Sequence, residues 1–214
     1  MLLLTNGSLR LLFAAQALYW SCSLIGITLT SIVGVSLAPV PALATLRLGI
    51  LMLGNLLSVH PLATLMPRRG RRVGLCFGAR CGVVGGVLLA SGIYIGEFWL
   101  VAAAPALIGT YQASAMYYRY AALEAVDTAQ NGRAAALVVG GGVLAAIVAP
   151  EIAIASRDML AVPFSGAFVA LAGLAAVGAL LMTFLPDGGI PARTGASKEV
   201  MKRLLARPVI RGAI

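Results

Sequence analysis

The chain alternates long apolar runs with short polar joints, and the length of the runs decides what they are. A helix crossing the ~30 Å hydrocarbon core of a bilayer needs about 20 mainly apolar residues. Six stretches meet that requirement: residues 10–38, 42–66, 73–95, 98–121, 134–150 and 160–185. The joints carry helix punctuation: Pro39 and Pro41 after the first run, Gly96 and Glu97 after the third, and Pro150 to Asp158 after the fifth. The expected fold class is all-α, a polytopic membrane protein with six transmembrane helices. The opening MLLLTNGSLRLLFAAQALYW resembles a signal peptide at first. Its apolar run continues well past the about 7 to 15 residues of a signal core, so it reads as the first span.

Composition agrees with that pattern. Of 214 residues, 60% are hydrophobic and 11% charged, and mean hydropathy is +0.97, whereas soluble domains carry about a quarter charged residues. A net charge of +9 would suit a nucleic-acid surface only if it lay on a solvated face. Here the basic residues punctuate apolar segments, so the expected partner is the lipid bilayer and no nucleic acid. The same residues orient the chain. With the N-terminus in the cytoplasm, fourteen of the sixteen basic residues fall on the inside, leaving Arg47 and Arg157 outside. Cytoplasmic connections are the ones enriched in Lys and Arg. Both termini are therefore expected to be cytoplasmic, in a bacterial inner (plasma) membrane.

Lipid tails are as apolar as leucine, so helices in a membrane associate through close backbone approach and polar contacts. In the third run Gly74, Gly78, Gly82 and Gly86 recur every four residues, which predicts one smooth stripe for helix packing. Polar residues at depth must find a partner or face a cavity. They are Gln16, Ser23 and Thr28 in the first run, Asn55, Ser58 and His60 in the second, and Tyr111, Gln112, Ser114 and Tyr117 in the fourth. His60 precedes Pro61, whose ring frees a carbonyl one turn earlier, so a structural role and a proton-relay role both stand open. Gln16, Ser23, Asn55, His60, Tyr111, Gln112 and Tyr117 are the candidate lining of a substrate cavity.

Catalysis finds no footing. The chain has one histidine, no carboxylate in mid-span, and three cysteines without zinc-ligand spacing, so neither a triad nor a metal site can be assembled. The run Gly140 to Gly142 lacks the Lys-Ser/Thr of a phosphate loop. No enzyme, metal or cofactor is expected.

The stretch LMPRRGRRVG, between the second and third runs, resembles the signature loop of the major facilitator superfamily, written G-x-x-x-D-R-x-G-R-R. Arg68, Gly70, Arg71 and Arg72 match it, whereas Ala63 replaces the first glycine and Pro67 the aspartate. In that family the aspartate belongs to an ion-pair network steadying one conformation of the transporter, so the resemblance implies a loop held differently here. Ala136, Ala145, Ala149 and Pro150 stand at the spacing of a glycine-rich exporter motif, with alanine for each glycine. Pro105 stands four residues before Gly109, where the family often has an arginine.

The resemblance implies the N-terminal six-helix half of a secondary transporter, residues 1–189, moving a small-molecule solute between itself and a second six-helix half. Residues 190–214 resemble the family's central linker, a basic cytoplasmic segment running towards a seventh helix. The chain is thus expected to be a truncated product or fragment, the other possibility being a half-unit that pairs with a separate chain. A different class of function is also open: a non-transporting assembly or sensor protein that dimerises through its small-residue faces.

Overall fold

The computed structural model describes residues 6–37, 43 and 45–186. The expected linker at 190–214 and the joint prolines Pro39 and Pro41 lie outside the described residues. Among these residues the regular structure is entirely helical: α1 (Gly7–Leu37), α2 (Leu46–Arg69), α3 (Arg71–Ile95), α4 (Phe98–Ala103), α5 (Pro105–Ala115), α6 (Tyr118–Glu124), α7 (Asn131–Arg157) and α8 (Ser165–Thr183), with one 3-10 turn at Thr128–Gln130. Five of the six expected spans are single helices long and apolar enough to cross a membrane. In hydrocarbon each peptide group must be bonded within its own segment, and only a helix does that for a lone span.

The fourth span departs from expectation, being built from α4, α5 and α6 in succession. Pro105 has no N–H to give Val101 and opens α5 as its first residue. Lower down, Tyr117 N–H bonds the Ser114 carbonyl in a tighter i to i+3 turn. Ala104, Met116 and Tyr117 all keep right-handed helical dihedrals, so these breaks kink the path rather than reverse it.

Pro150 behaves in the opposite way. It was expected to end the fifth span, yet α7 runs on to Arg157 and the connection to α8 is confined to residues 158–164. Apolar residues precede the proline and resume after Glu151, so ending the helix would strand several peptide groups while continuing it strands one. Pro61 and Pro67 likewise sit inside α2. The basic loop consequently shrinks to a single residue, Gly70, at φ 93° between the last residue of α2 and the first of α3. At the other end of α3, Gly96 takes φ 77°, and the N–H groups of Gly96 and Glu97 return to the carbonyls of Ile93 and Gly92.

α3 is the axis of the packing. It lies against α8 and α5, while α1 packs on α7 and α8, and α2 packs on α5. Gly54 of α2 and Gly109 of α5 interlock. A Cβ on Gly54 would sit 2.6 Å from the Ala106 Cα, and one on Gly109 2.7 Å from the Asn55 nitrogen. Outside that seam α2 is mostly exposed, with Leu53, Leu56 and Leu57 turned outward, as expected of a helix solvated by lipid or covered by further protein.

Candidate functional site

The four glycines of the α3 row, Gly74, Gly78, Gly82 and Gly86, are all buried, and each gives access to a different partner. Gly74 faces Met66 of α2, Gly78 faces Ser114, Gly82 faces the Tyr111 ring, and Gly86 faces Ala172 and Leu171 of α8. The register of four thus serves three neighbouring helices rather than one. Its consequence for the site is local: Gly82 and Gly178 form the socket of Tyr111. A Cβ on Gly82 would lie 2.5 Å from the Tyr111 Cδ1 and one on Gly178 3.0 Å from its hydroxyl.

Tyr111 is fully buried, and its ring meets Tyr19 of α1 edge-on, centroids 5.3 Å apart at 80°. Its hydroxyl and that of Tyr118, also buried, face each other. Neither hydroxyl has a hydrogen-bond partner among the described residues. The Tyr19 hydroxyl faces Ser23 and Gln112, and the half-exposed Trp20 stands beside Tyr19 at 5.6 Å. Three of the candidate cavity residues, Ser23, Tyr111 and Gln112, therefore gather around Tyr19, at the contact of α1 with α5. Burial grades across the cluster: Tyr111 is enclosed, Gln112 half-buried and Trp20 the most exposed, at 38%. Such a set can offer ring faces and neutral hydrogen bonds without a fixed charge.

The other four candidates stand apart. Gln16 is buried against the backbone of α7 at Gly141. Asn55 belongs to the seam between α2 and α5. His60 is on the exposed side of α2, and Tyr117 is half-buried with its ring 6.0 Å from that of Tyr120. Ser58 and Thr110 share a hydroxyl hydrogen bond of 2.8 Å. Tyr19 and Trp20 were missing from the sequence reading because aromatic residues in an apolar run look like core. Their one signal was position, since Tyr19 lies one helical turn before Ser23.

At the opposite end of the fourth span, the basic cluster has a specific partner. Arg71 donates through Nε and Nη2 to both carboxylate oxygens of Glu124, the last residue of α6. A carboxylate from another helix thus pairs with the first residue of α3. Glu124 was also missed, although parity could have found it: the second span's end, the third's start and the fourth's end must lie on one side of a membrane. Arg68 and Arg69 are exposed at the end of α2. Among the described residues no group of His, Cys, Asp and Glu could hold a metal ion.

Compared with known proteins, the chain is similar to the riboflavin transporter RfnT of Brucella anthropi. The two are 36% identical over 179 residues, which is 82% of this chain and 45% of that protein. The chain therefore spans less than half the length of that relative. No family profile matches it, and no solved structure matches it. The likeness to a membrane transporter and the five long apolar helices identify an integral membrane protein, and a transporter relative points away from enzyme activity.

Proposed function

We propose that this chain is the N-terminal six-helix half of a secondary transporter of the major facilitator type. Residues 1–189 form the bundle and 190–214 lead to a second half, on the same or a separate chain. Both halves rock around a small solute held near the bilayer midplane. The observation that carries the reading is the likeness to a riboflavin transporter along 82% of the chain, at 45% of that protein's length, the share one of two halves would take. The signature arginines and the six crossing segments support the same assignment.

Riboflavin is the first solute to test, because the cluster around Tyr19 has the chemistry to receive a planar, uncharged ring system. Trp20 and Tyr19 offer aromatic faces, while Ser23 and Gln112 offer a hydroxyl and an amide. Gln16, Asn55, His60, Tyr111 and Tyr117 complete the proposed lining as the halves move. Both termini, and with them the pair between Arg71 and Glu124, face the cytoplasm.

The test is uptake of labelled riboflavin by riboflavin-requiring cells that lack their own carrier. They would express either this chain alone or the chain joined to a second six-helix half. Uptake with the joined protein supports the proposal. Equal uptake by empty cells, or no competition by unlabelled riboflavin, removes riboflavin as the solute. The alternative of a dimerising sensor is weakened by one observation: the glycines of α3 are already covered by the chain's own helices.

A further inference from the structure

We propose that the groove between α2, α3 and α5 holds one anionic phospholipid, its phosphate bound by Arg68, Arg69 and Arg80 and an acyl chain lying along the groove. The groove encloses about 620 Å³. Its walls are apolar, formed by Pro61, Leu62 and Leu65 of α2, Phe77 of α3 and Leu107 of α5. The hydroxyls that reach it are already satisfied: Ser58 and Thr110 bond each other, and Thr64 donates to the Pro61 carbonyl. What is left for an occupant is hydrocarbon contact inside and cationic contact at one end, where Arg68 and Arg69 stand. From Ser58 to Arg69 the groove follows α2 for about 16 Å, long enough for the greater part of an extended acyl chain and too apolar for a polar solute.

Arg80 supplies the independent observation. It interrupts an exposed apolar stripe on α3 made of Val73, Phe77, Val84 and Val87. It lies about 14 Å along the helix from Arg71. A guanidinium on a lipid-facing stripe at that depth is costly unless it reaches an anion. Long helical side chains lean towards the helix N-terminus, which aims Arg80 towards the end where Arg68 and Arg69 lie, and snorkelling favours the same direction. In contrast to Arg71, none of these three arginines has an acidic partner among the described residues. A helix of a second half could cover the apolar walls, but two guanidinium groups at the groove's end without an acidic partner among the described residues, with Arg80 on the adjoining face of α3, match a phosphate better. Anionic lipids are concentrated in the cytoplasmic leaflet, the side to which this basic end is assigned.

The experiment uses the full chain in vesicles of phosphatidylcholine with or without phosphatidylglycerol. It reads the lipid retained after purification by native mass spectrometry, and the labelling of Cys81, which lines the groove, by a membrane-permeant maleimide. Phosphatidylglycerol should be retained over phosphatidylcholine and should protect Cys81. Each of Arg68→Gln, Arg69→Gln and Arg80→Gln should lower retention about fivefold, while Arg→Lys at the same positions should largely keep it. Thr64→Phe, which fills the groove without altering charge, should also lower it. The buried Cys22 and Cys76 must stay unlabelled, showing that each variant is folded. Equal retention of both lipids, or retention indifferent to the Gln variants and to Thr64→Phe, overturns the proposal. So does full competition by soluble glycerol phosphate, which would reveal a site for phosphate alone. A photo-crosslinker at Leu65 that captures protein instead of lipid would place a helix in the groove and overturn it equally.

Discussion

Arg71 forks onto both carboxylate oxygens of Glu124, tying the first residue of α3 to the last residue of α6 across 53 positions of sequence. The fork fits a carboxylate in two places at once, so it fixes direction as well as distance. This joins the basic turn to the end of the fourth span without any aspartate in the turn itself. Both side chains are partly exposed, so solvent screens the pair and its share of stability is modest.

Arg71→Ala and Glu124→Ala should each destabilise the folded chain by about 0.5–1 kcal/mol. The double variant should cost little more than either one. Denaturation in detergent across this double-mutant cycle measures the coupling, and strict additivity would mean that the pair contributes nothing.

Gly82→Leu should destabilise far more, by about 1–3 kcal/mol, because the added side chain must displace the Tyr111 ring. Gly173→Ala meets nothing within 4 Å and should fall within about 0.5 kcal/mol of the parent. Thermal unfolding of the two variants side by side checks the contrast. Equal losses would show that α3 and α5 are not in this contact.

Arg47 is fully buried, with one bond from Nη1 to the Thr30 carbonyl at 2.9 Å and the Phe98 ring 5.6 Å away. Its Nε and Nη2 have no hydrogen-bond partner among the described residues. Replacing a poorly paired buried charge with an apolar side chain of similar length is commonly neutral or stabilising. Arg47→Met should therefore leave the melting temperature unchanged or raise it, whereas a drop of several degrees would mean that the guanidinium has acceptors beyond Thr30.

Gln112→Ala in the joined transporter should reduce riboflavin uptake about two- to tenfold, the effect of one lost hydrogen bond, without changing how much protein reaches the membrane. Tyr111→Ala should instead lower the amount of folded protein, since it empties a buried socket. Uptake normalised to membrane-inserted protein separates the two. Normal uptake by Gln112→Ala would remove that residue from the solute site.

The spans were legible because bilayer thickness sets a length that apolar runs can be measured against, and five of them emerged as single helices, the first three within about four residues of the expected ends and the fifth running seven residues past Pro150. The prolines were harder. Pro105, buried, breaks its span, and Pro150, exposed and followed by Glu151, does not. What separates them is the neighbours of each helix, which no local window contains. The glycine register of α3 announced close packing, but not that Gly82 would be spent on a tyrosine ring.

By itself, then, the sequence determined the all-helical class, the long apolar runs and the order of the charges between them, because hydropathy is decided residue by residue along the chain. Which polar residues meet was decided only by tertiary structure. Tyr19, Ser23, Tyr111 and Gln112 come together while His60 is left outside, and Arg71 finds Glu124, since these encounters depend on how helices rotate and lean once their small residues interlock.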